Sequence, residues 1–493
     1  MQPPDLMTTQ TSHRLIQSLP RPLLLVAGLA VFARLLAMIF FPLTDKTEAR
    51  YGEIARKMSE TNDWITPWYD YGVPFWAKPP LSTWLSAASM DVFGVSAFAA
   101  RFPSLIIGLA MLPLMYVFAR RDTEPVRLAS LLMLLTMGMF YVAIGTVMTD
   151  MTLVLSCTLA MVGFWFAVEE KSKRWGYVFF GALGLGLLAK GPIAIVLCGL
   201  PLFAWVCWTN SWKKMFTSLP IVTGTLLMLA IGVPWYLLAE QKTPGFLEYF
   251  IVGEHFKRFT VPGWTGDRYG HAHEAPLGMI WPYLLLDGLP WSLALLAVFG
   301  YRAAKKQKVM HSPLDSQGKF LLCWLVLPNL FFTFAHNIIP TYPLVSLPAL
   351  ALLAARELAP VSLSGDNIRK WVYASAAALP VAIIAGLAVL SIQPGLLTNS
   401  AAYVAAAFRQ ADTNAGDEMV YVGDRVYSME FYNSGKTHHY PTIEEAVAAA
   451  EKMQEPLVAL TDKQSAQIPP ALQPRLKLIA RAAPRYEIYE VTK

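Results

Sequence analysis

Leu43-Thr-Asp-Lys-Thr-Glu-Ala-Arg-Tyr-Gly-Glu-Ile-Ala-Arg-Lys-Met58, which runs on to Phe75-Trp-Ala-Lys-Pro-Pro80, decides how the chain is read. It gathers carboxylates, arginines, lysines and aromatics into one loop directly after the first apolar segment, in a chain that is only 15% charged. A polytopic protein usually needs no more than a short connector there. So dense a loop held against lipid points to a site for an anionic, membrane-bound substrate.

Around the loop, composition sets the class. The 493 residues are 55% hydrophobic with 15 Trp and 20 Tyr, and the mean hydropathy of +0.42 is that of a membrane protein. Window hydropathy gives about eleven spans of the length that crosses hydrocarbon. They centre on Leu23–Phe41, Phe98–Phe118, Leu128–Gly145, Thr152–Val168, Tyr177–Leu188, Ile193–Trp208, Leu219–Leu238, Gly278–Gly300, Phe320–Phe334, Pro343–Ala355 and Val372–Leu390. The net charge of +6 is explained by topology rather than by nucleic acid. Arg120, Arg121, Lys171, Lys173, Lys213, Lys214, Arg302, Lys305, Arg356 and Lys370 fall in alternate loops, which the positive-inside rule makes cytoplasmic. The long loops 43–97 and 239–277 and the C-terminal segment then face outward. Met1–Pro20 reads as a cytoplasmic tail, because its following apolar run is too long for a cleavable signal. Cys157, Cys198, Cys207 and Cys323 all sit inside predicted spans as buried small hydrophobes, with no disulfide framework or CxxC site.

Residues 1–394 therefore form a membrane domain, and 395–493 a small outward α/β domain. Met419–Val422, Pro456–Leu460 and Tyr486–Val491 read as strands. Thr442-Ile-Glu-Glu445 is a capping box opening a helix over Ile443–Met453.

With this topology the ionisable groups collect on one membrane face: Asp45 and Glu48, Asp150, Lys190, Glu254, His255, Lys257, Arg258 and His336. Ionisable groups at membrane borders are costly and default to function. Structural alternatives stand beside each. Asp45-x-x-Glu48 can be a capping box for an amphipathic helix over Thr47–Glu60, and Glu53–Lys57 and Arg56–Glu60 are solvated i,i+4 pairs. Asp150 can cap the fourth span. Lys78 and Lys190 can snorkel. Pro79 and Pro80 deny their segment a regular helix, so it re-enters or lies along the interface. His271 and His273 with His255 invite a metal, but they lack a clustered spacing on one helix. Joined, the outward carboxylates can orient or deprotonate an acceptor, the cations can hold a phosphate as it leaves, and the apolar flanks can hold a lipid tail.

The loop resembles the first outward loop of bacterial membrane glycosyltransferases of the protein O-mannosyltransferase and lipid A aminoarabinose transferase superfamily, which have the GT-C fold. Ala100-Arg-Phe-Pro-Ser104, Gly184-Leu-Gly-Leu-Leu-Ala-Lys-Gly-Pro192, Gly253-Glu-His-Phe-Lys-Arg-Phe259 and Pro340-Thr-Tyr342 extend the likeness over nearly the whole membrane domain. The resemblance implies a polytopic α-helical protein of about 11–13 transmembrane helices in a bacterial inner membrane, its C-terminal domain periplasmic. It implies an inverting transfer of sugar from a polyprenyl-phosphate donor to a glycolipid or protein acceptor among membrane lipids. Asp45, Glu48 and Asp150 take the catalytic acid positions. Arg50, Tyr51, Lys78, Lys190, His255, Arg258, His336 and Tyr342 take substrate-binding ones. Two positions depart from the family: Thr47-Glu48 stands where Asp-Glu is common, and Ala77 replaces a glutamate that serves a structural metal site in the aminoarabinose transferases. No cofactor or metal is therefore expected, and Ala77 argues against lipid A aminoarabinosylation. A lipid-linked-saccharide flippase would need midplane charges and repeat symmetry, which the sequence lacks. A non-catalytic scaffold leaves the outward charge layer unexplained.

Overall fold

Twenty apolar residues at about 1.5 Å each carry α1 (Arg21–Phe40) far enough to cross a bilayer core of roughly 30 Å. The structure, a computed structural model, describes residues 21–492 except 258–259, 262–263, 267, 270–273, 310–313, 363–365, 412–417, 454–455 and 484. His271, His273 and Arg258 thus lie outside the described residues. After α1 come α2 (Thr47–Thr61), a hairpin of β1 (Trp68–Asp70) and β2 (Val73–Pro74), α3 (Leu81–Phe93), α4 (Ala97–Phe118), α5 (Glu124–Thr136), α6 (Gly138–Ala143), α7 (Asp150–Glu169), α8 (Lys173–Lys190), α9 (Ile193–Thr209), α10 (Trp212–Ser218) and α11 (Ile221–Lys242). A π-helix (Glu248–Lys257), α12 (Ile280–Asp287), α13 (Trp291–Ala304), α14 (Ser316–Thr333), a 3₁₀ turn (Tyr342–Ser346), α15 (Leu347–Ser362) and α16 (Asp366–Ile392) complete the helical part.

Among the described residues, 6 helices are long and apolar enough to span, and the bent pair α12–α13 makes a seventh. The other expected spans are helical too, but shorter or interrupted. The segment Leu128–Gly145 breaks between α5 and α6, and α12 meets α13 at 101°. The two breaks satisfy each other: Gly138 N–H donates to Leu289 O at 2.8 Å, and Trp291 Nε1 donates to Thr136 Oγ1 at 3.0 Å. Broken backbone at membrane depth is tolerated only where protein supplies such partners.

Burial sorts the helices by layer. The best spanning window of α7 is 89% buried, whereas those of α1, α11 and α16 are 28%, 22% and 11% buried. So α7 lies at the centre together with the equally buried Tyr342–Pro360 segment, and the other three present apolar faces outward. Close contact of α7 with α8 requires glycine at 163, where a Cβ would lie 2.9 Å from Phe179 N. Small residues allow this approach between membrane helices. Cys157, Cys198 and Cys323 are buried as expected, while Cys207 is exposed on α9.

Four sequence expectations change locally. Pro80 does not break a helix but precedes α3, since proline's missing N–H costs nothing at a helix start. Asp45 does not cap α2; the Glu48 carboxylate instead accepts the Thr44 N–H at 3.2 Å. Asp150 begins α7 with its carboxylate on Lys190 at 2.7 Å. Glu53, Arg56 and Lys57 are buried, at 1%, 3% and 1% exposure, because the C-terminal unit covers that face.

That unit contains α17 (Ala402–Ala411) and a sheet of β3 (Met419–Val422), β4 (Thr437–Tyr440), β5 (Leu457–Thr461), β6 (Leu476–Ala482) and β7 (Tyr486–Val491), ordered β4-β3-β5-β7-β6. The first three are mutually parallel, and β7 and β6 run antiparallel. Helix α18 (Tyr427–Tyr432) follows β3 and packs on α2. Lys57 Nζ lies 3.5 Å from Glu430, Tyr432 OH accepts the Leu43 N–H at 2.7 Å, and Phe431 lies in one apolar cluster with Leu43 and Met58. Helix α19 (Ile443–Ala450) starts at Thr442, whose hydroxyl accepts the Glu445 N–H at 3.2 Å.

One buried ion pair ties α1, α2, α4 and the α6–α7 connection. Arg101 Nε and Nη2 donate to the two Glu48 oxygens at 2.7 and 2.8 Å. Arg101 Nη1 also donates to Phe41 O at 2.5 Å, and Val147 N–H reaches Glu48 at 3.2 Å. Replacing Arg101 by Met leaves a buried carboxylate uncompensated, and should destabilise the protein by about 3–5 kcal/mol. Thermal unfolding in detergent will read this; an unchanged transition would show that the pair holds nothing.

Candidate active site

Helical periodicity turns one side of α2 inward to Arg101 and the other toward a cavity. Glu48 takes the buried side, while Thr47, Arg50 and Tyr51, at i, i+3 and i+4, line a cavity of about 770 Å³. The β1–β2 hairpin brings Tyr69, Phe75 and Lys78. The start of α7 brings Asp150, the end of α8 Lys190, and the π-helix Glu254 and His255. The loop beyond it adds Arg268 and Tyr269, and the 3₁₀ turn Tyr342. The C-terminal unit adds Asp424, Arg425 and Tyr427.

The cavity has two characters. Leu153, Val154, Ile193, Leu197, Phe332 and Val345 make an apolar end between helices. The polar end carries Lys46, Arg50, Lys78, Lys190, Arg268 and Arg425 against Asp150, Glu254 and Asp424, an excess of positive charge. Lys190 is bound to Asp150 at 2.7 Å with its ammonium 5.4 Å from the Tyr342 ring centre. Lys78 is bound to Glu254 at 2.9 Å. The arginines are held differently. Arg50 donates to Tyr269 O and its buried Nε has no partner among the described residues. Arg268 lies over Trp76 and Tyr249, 4.8 and 5.3 Å from the ring centres. A guanidinium kept on a ring face, with donors left over, is built to receive an oxyanion.

The π-helix matters because its wider turn puts residues five apart together, a geometry common at functional sites. His255 Nδ1 meets Phe250 O at 2.9 Å, and its Nε2 meets Lys190 O at 3.2 Å. This ring therefore ties the second outward loop to the end of α8. Burial holds its pKa below the ordinary value, outweighing the two carbonyls.

The remaining expected residues lie elsewhere. Asp45 accepts from the Ser428 N–H at 3.0 Å and from its hydroxyl, so it fastens the C-terminal unit and does not line the cavity; burial pushes its carboxyl up against those hydrogen bonds. Glu48 is enclosed with Arg101. His336 is also outside the lining and contributes its carbonyl to Ala275 N–H at 3.0 Å. Ala77 brings no ligand side chain to a metal, and its carbonyl accepts from Lys78 Nζ at 2.7 Å, so this position does not fit the family's structural metal site. Sequence reading overlooked Arg268 and Tyr269. The signal was there: Arg-Tyr occurs at 50–51 and again at 268–269, once in each long loop. Asp424 and Arg425 carried no such mark.

The Dolichyl-phosphate-mannose-protein mannosyltransferase family model matches residues 30–250. An undecaprenyl phosphate-alpha-4-amino-4-deoxy-L-arabinose arabinosyl transferase of Edwardsiella ictaluri is 32% identical over 328 residues, covering 65% of this chain and 56% of its own. One from Pseudomonas fluorescens is 30% identical over 345 residues, covering 69% and 59%. The chain is thus similar in sequence to the protein O-mannosyltransferase and aminoarabinose transferase superfamily. It spans a little over half the length of the curated relatives it matches. ArnT from Cupriavidus metallidurans, solved bound to undecaprenyl phosphate, superposes with a TM-score of 0.74 over 95% of this chain and 97% of that one, at 19% identity. The fold is thus GT-C, and the protein is a multi-pass inner-membrane protein.

The His255 geometry has a pH consequence. A histidine kept neutral by burial leaves the unfolded chain to take up the proton first. Stability is therefore full above the ordinary value of 6.5 and declines as pH falls through it. Between pH 7.5 and 5.5, the thermal transition of His255→Gln should fall less than that of the unaltered protein.

Proposed function

We propose that the protein is an inverting glycosyltransferase that moves a sugar from a polyprenyl-phosphate donor to a lipid or protein acceptor at the periplasmic face of the inner membrane. The observation that carries this is one cavity with an apolar end between helices and a polar end with six cations facing three carboxylates. An anionic head on a long apolar tail fits that division. The relatives named above, and the ArnT structure with its bound lipid phosphate, support the donor class. Their names make an aminopentose the first sugar to test.

In this reading Lys78, Arg268 and Arg50 receive the donor phosphate and meet the charge that grows on it as the glycosidic bond breaks. Lys190, braced by Asp150 and Tyr342, supplies a further fixed cation. Asp150 keeps the catalytic-site place proposed for it, acting through that lysine. Glu48 and Asp45 act as positioning residues, one through Arg101 and one through Ser428. His255 positions Lys190's carbonyl end, and Arg258 remains a proposed donor-side residue. Lysines and arginines can neutralise a leaving phosphate by themselves, so we propose a reaction independent of metal. The charged loops opposite the cavity, rich in Lys and Arg, orient the N-terminus to the cytoplasm and the C-terminal unit to the periplasm.

Lys78→Ala should raise KM for undecaprenyl-phosphate sugar on the order of tenfold or more, as expected for losing a charged hydrogen bond. Transfer in nanodiscs, followed by mass spectrometry of the lipid products, measures it. The same assay in EDTA should run at an unchanged rate; loss of turnover there would refute metal independence.

A further inference from the structure

The carboxylates of the cavity are not equivalent. Asp150 is engaged by Lys190 and Glu254 by Lys78. Glu48 and Asp45, nearest in sequence to the cavity-lining part of α2, are committed to Arg101 and Ser428. Thr47 lines the cavity beside them with a hydroxyl in place of an acid. Asp424 alone, among the described residues that line the cavity, presents a carboxylate with no ion pair or hydrogen bond to its side chain.

Its backbone is nonetheless fixed. Asp424 follows β3 in the turn at the carboxyl end of parallel strands, where open α/β sheets place ligands. Gly423 holds φ +118°, and its N–H donates to Tyr440 O at 2.9 Å. Gln464 Nε2 donates to Val422 O at 3.1 Å. On the other side Arg425 is clamped by Glu430 at 2.5 and 2.8 Å and faces Asp70 at 3.3 Å. Val426 N–H reaches Tyr421 OH at 2.9 Å. A free acid on an immobile turn is the arrangement a proton acceptor requires.

We propose that Asp424, carried by the C-terminal unit, is the catalytic base that takes the proton from an acceptor O–H. The inference rests on the transferase reading above. In the step, the acceptor oxygen forms a bond to the anomeric carbon as the bond from that carbon to the phosphate oxygen breaks. The proton goes to the Asp424 carboxylate, and the electron pair leaves with polyprenyl phosphate, whose charge Lys78 and Arg268 receive.

Asp424→Asn, an exposed change that preserves shape, should lower kcat about 10²–10⁴-fold with KM for the donor within twofold and the thermal transition unchanged. It should also flatten the acid limb of the pH–kcat profile, which Asp424→Glu should partly restore. Turnover of Asp424→Asn within threefold of the unaltered protein, or a retained acid limb, overturns the assignment and leaves the transferase reading standing. If the unaltered protein releases no polyprenyl phosphate from the donor with either a hydroxyl or a phosphate acceptor, both readings fall together.

Discussion

The bidentate contact between Glu48 and Arg101 is the constraint on which the site depends. Neither group could be buried alone: taking either charge out of water costs several kcal/mol, and only close geometry with all donors used offsets it. Here Arg101 spends its other donors on the carbonyls that end α1, and Glu48 takes the N–H groups of Thr44 and Val147. The consequence is angular. Helix α2 cannot rotate without breaking the pair, so Thr47, Arg50 and Tyr51 must face the cavity. Val147 is held on the same carboxylate, which fixes where Asp150 enters three residues later.

A second balance operates inside the cavity. Lys78 and Lys190 are neutralised by partners already in the protein, while Arg50 and Arg268 rest on rings and carbonyls. Arg50 and Arg268 therefore keep donors for an incoming anion, and the pairs at Lys78 and Lys190 keep the empty cavity from carrying a prohibitive charge.

Much of this was legible in sequence because it has a period or a length. Apolar runs located the helical segments, and the three buried strands β3, β5 and β7 matched their apolar patterns. The edges did not: β4 is Thr-His-His-Tyr with an exposed centre, and β6 exposes its middle residues, so neither shows the run that marks a strand. Charge spacing also misled at Glu53, Arg56 and Lys57. Residues i and i+4 on a helix look solvated unless one knows what lies over them, and the cover comes from almost four hundred residues later. Arg50, Tyr51, Lys78, Lys190, His255 and Tyr342 were found because motif and membrane border coincided. Asp424 and Arg425 were missed because their place in the cavity comes from docking, which leaves no local trace.

That docking sets an order of assembly. The wall formed by residues 424–427 is made after every helix of the membrane domain, and it closes on the loop that follows α1. A chain interrupted after α16 can thread its helices into the bilayer yet has an open side where the turn belongs. Docking of the 424–427 turn onto the first long loop thus becomes the event that closes the chamber.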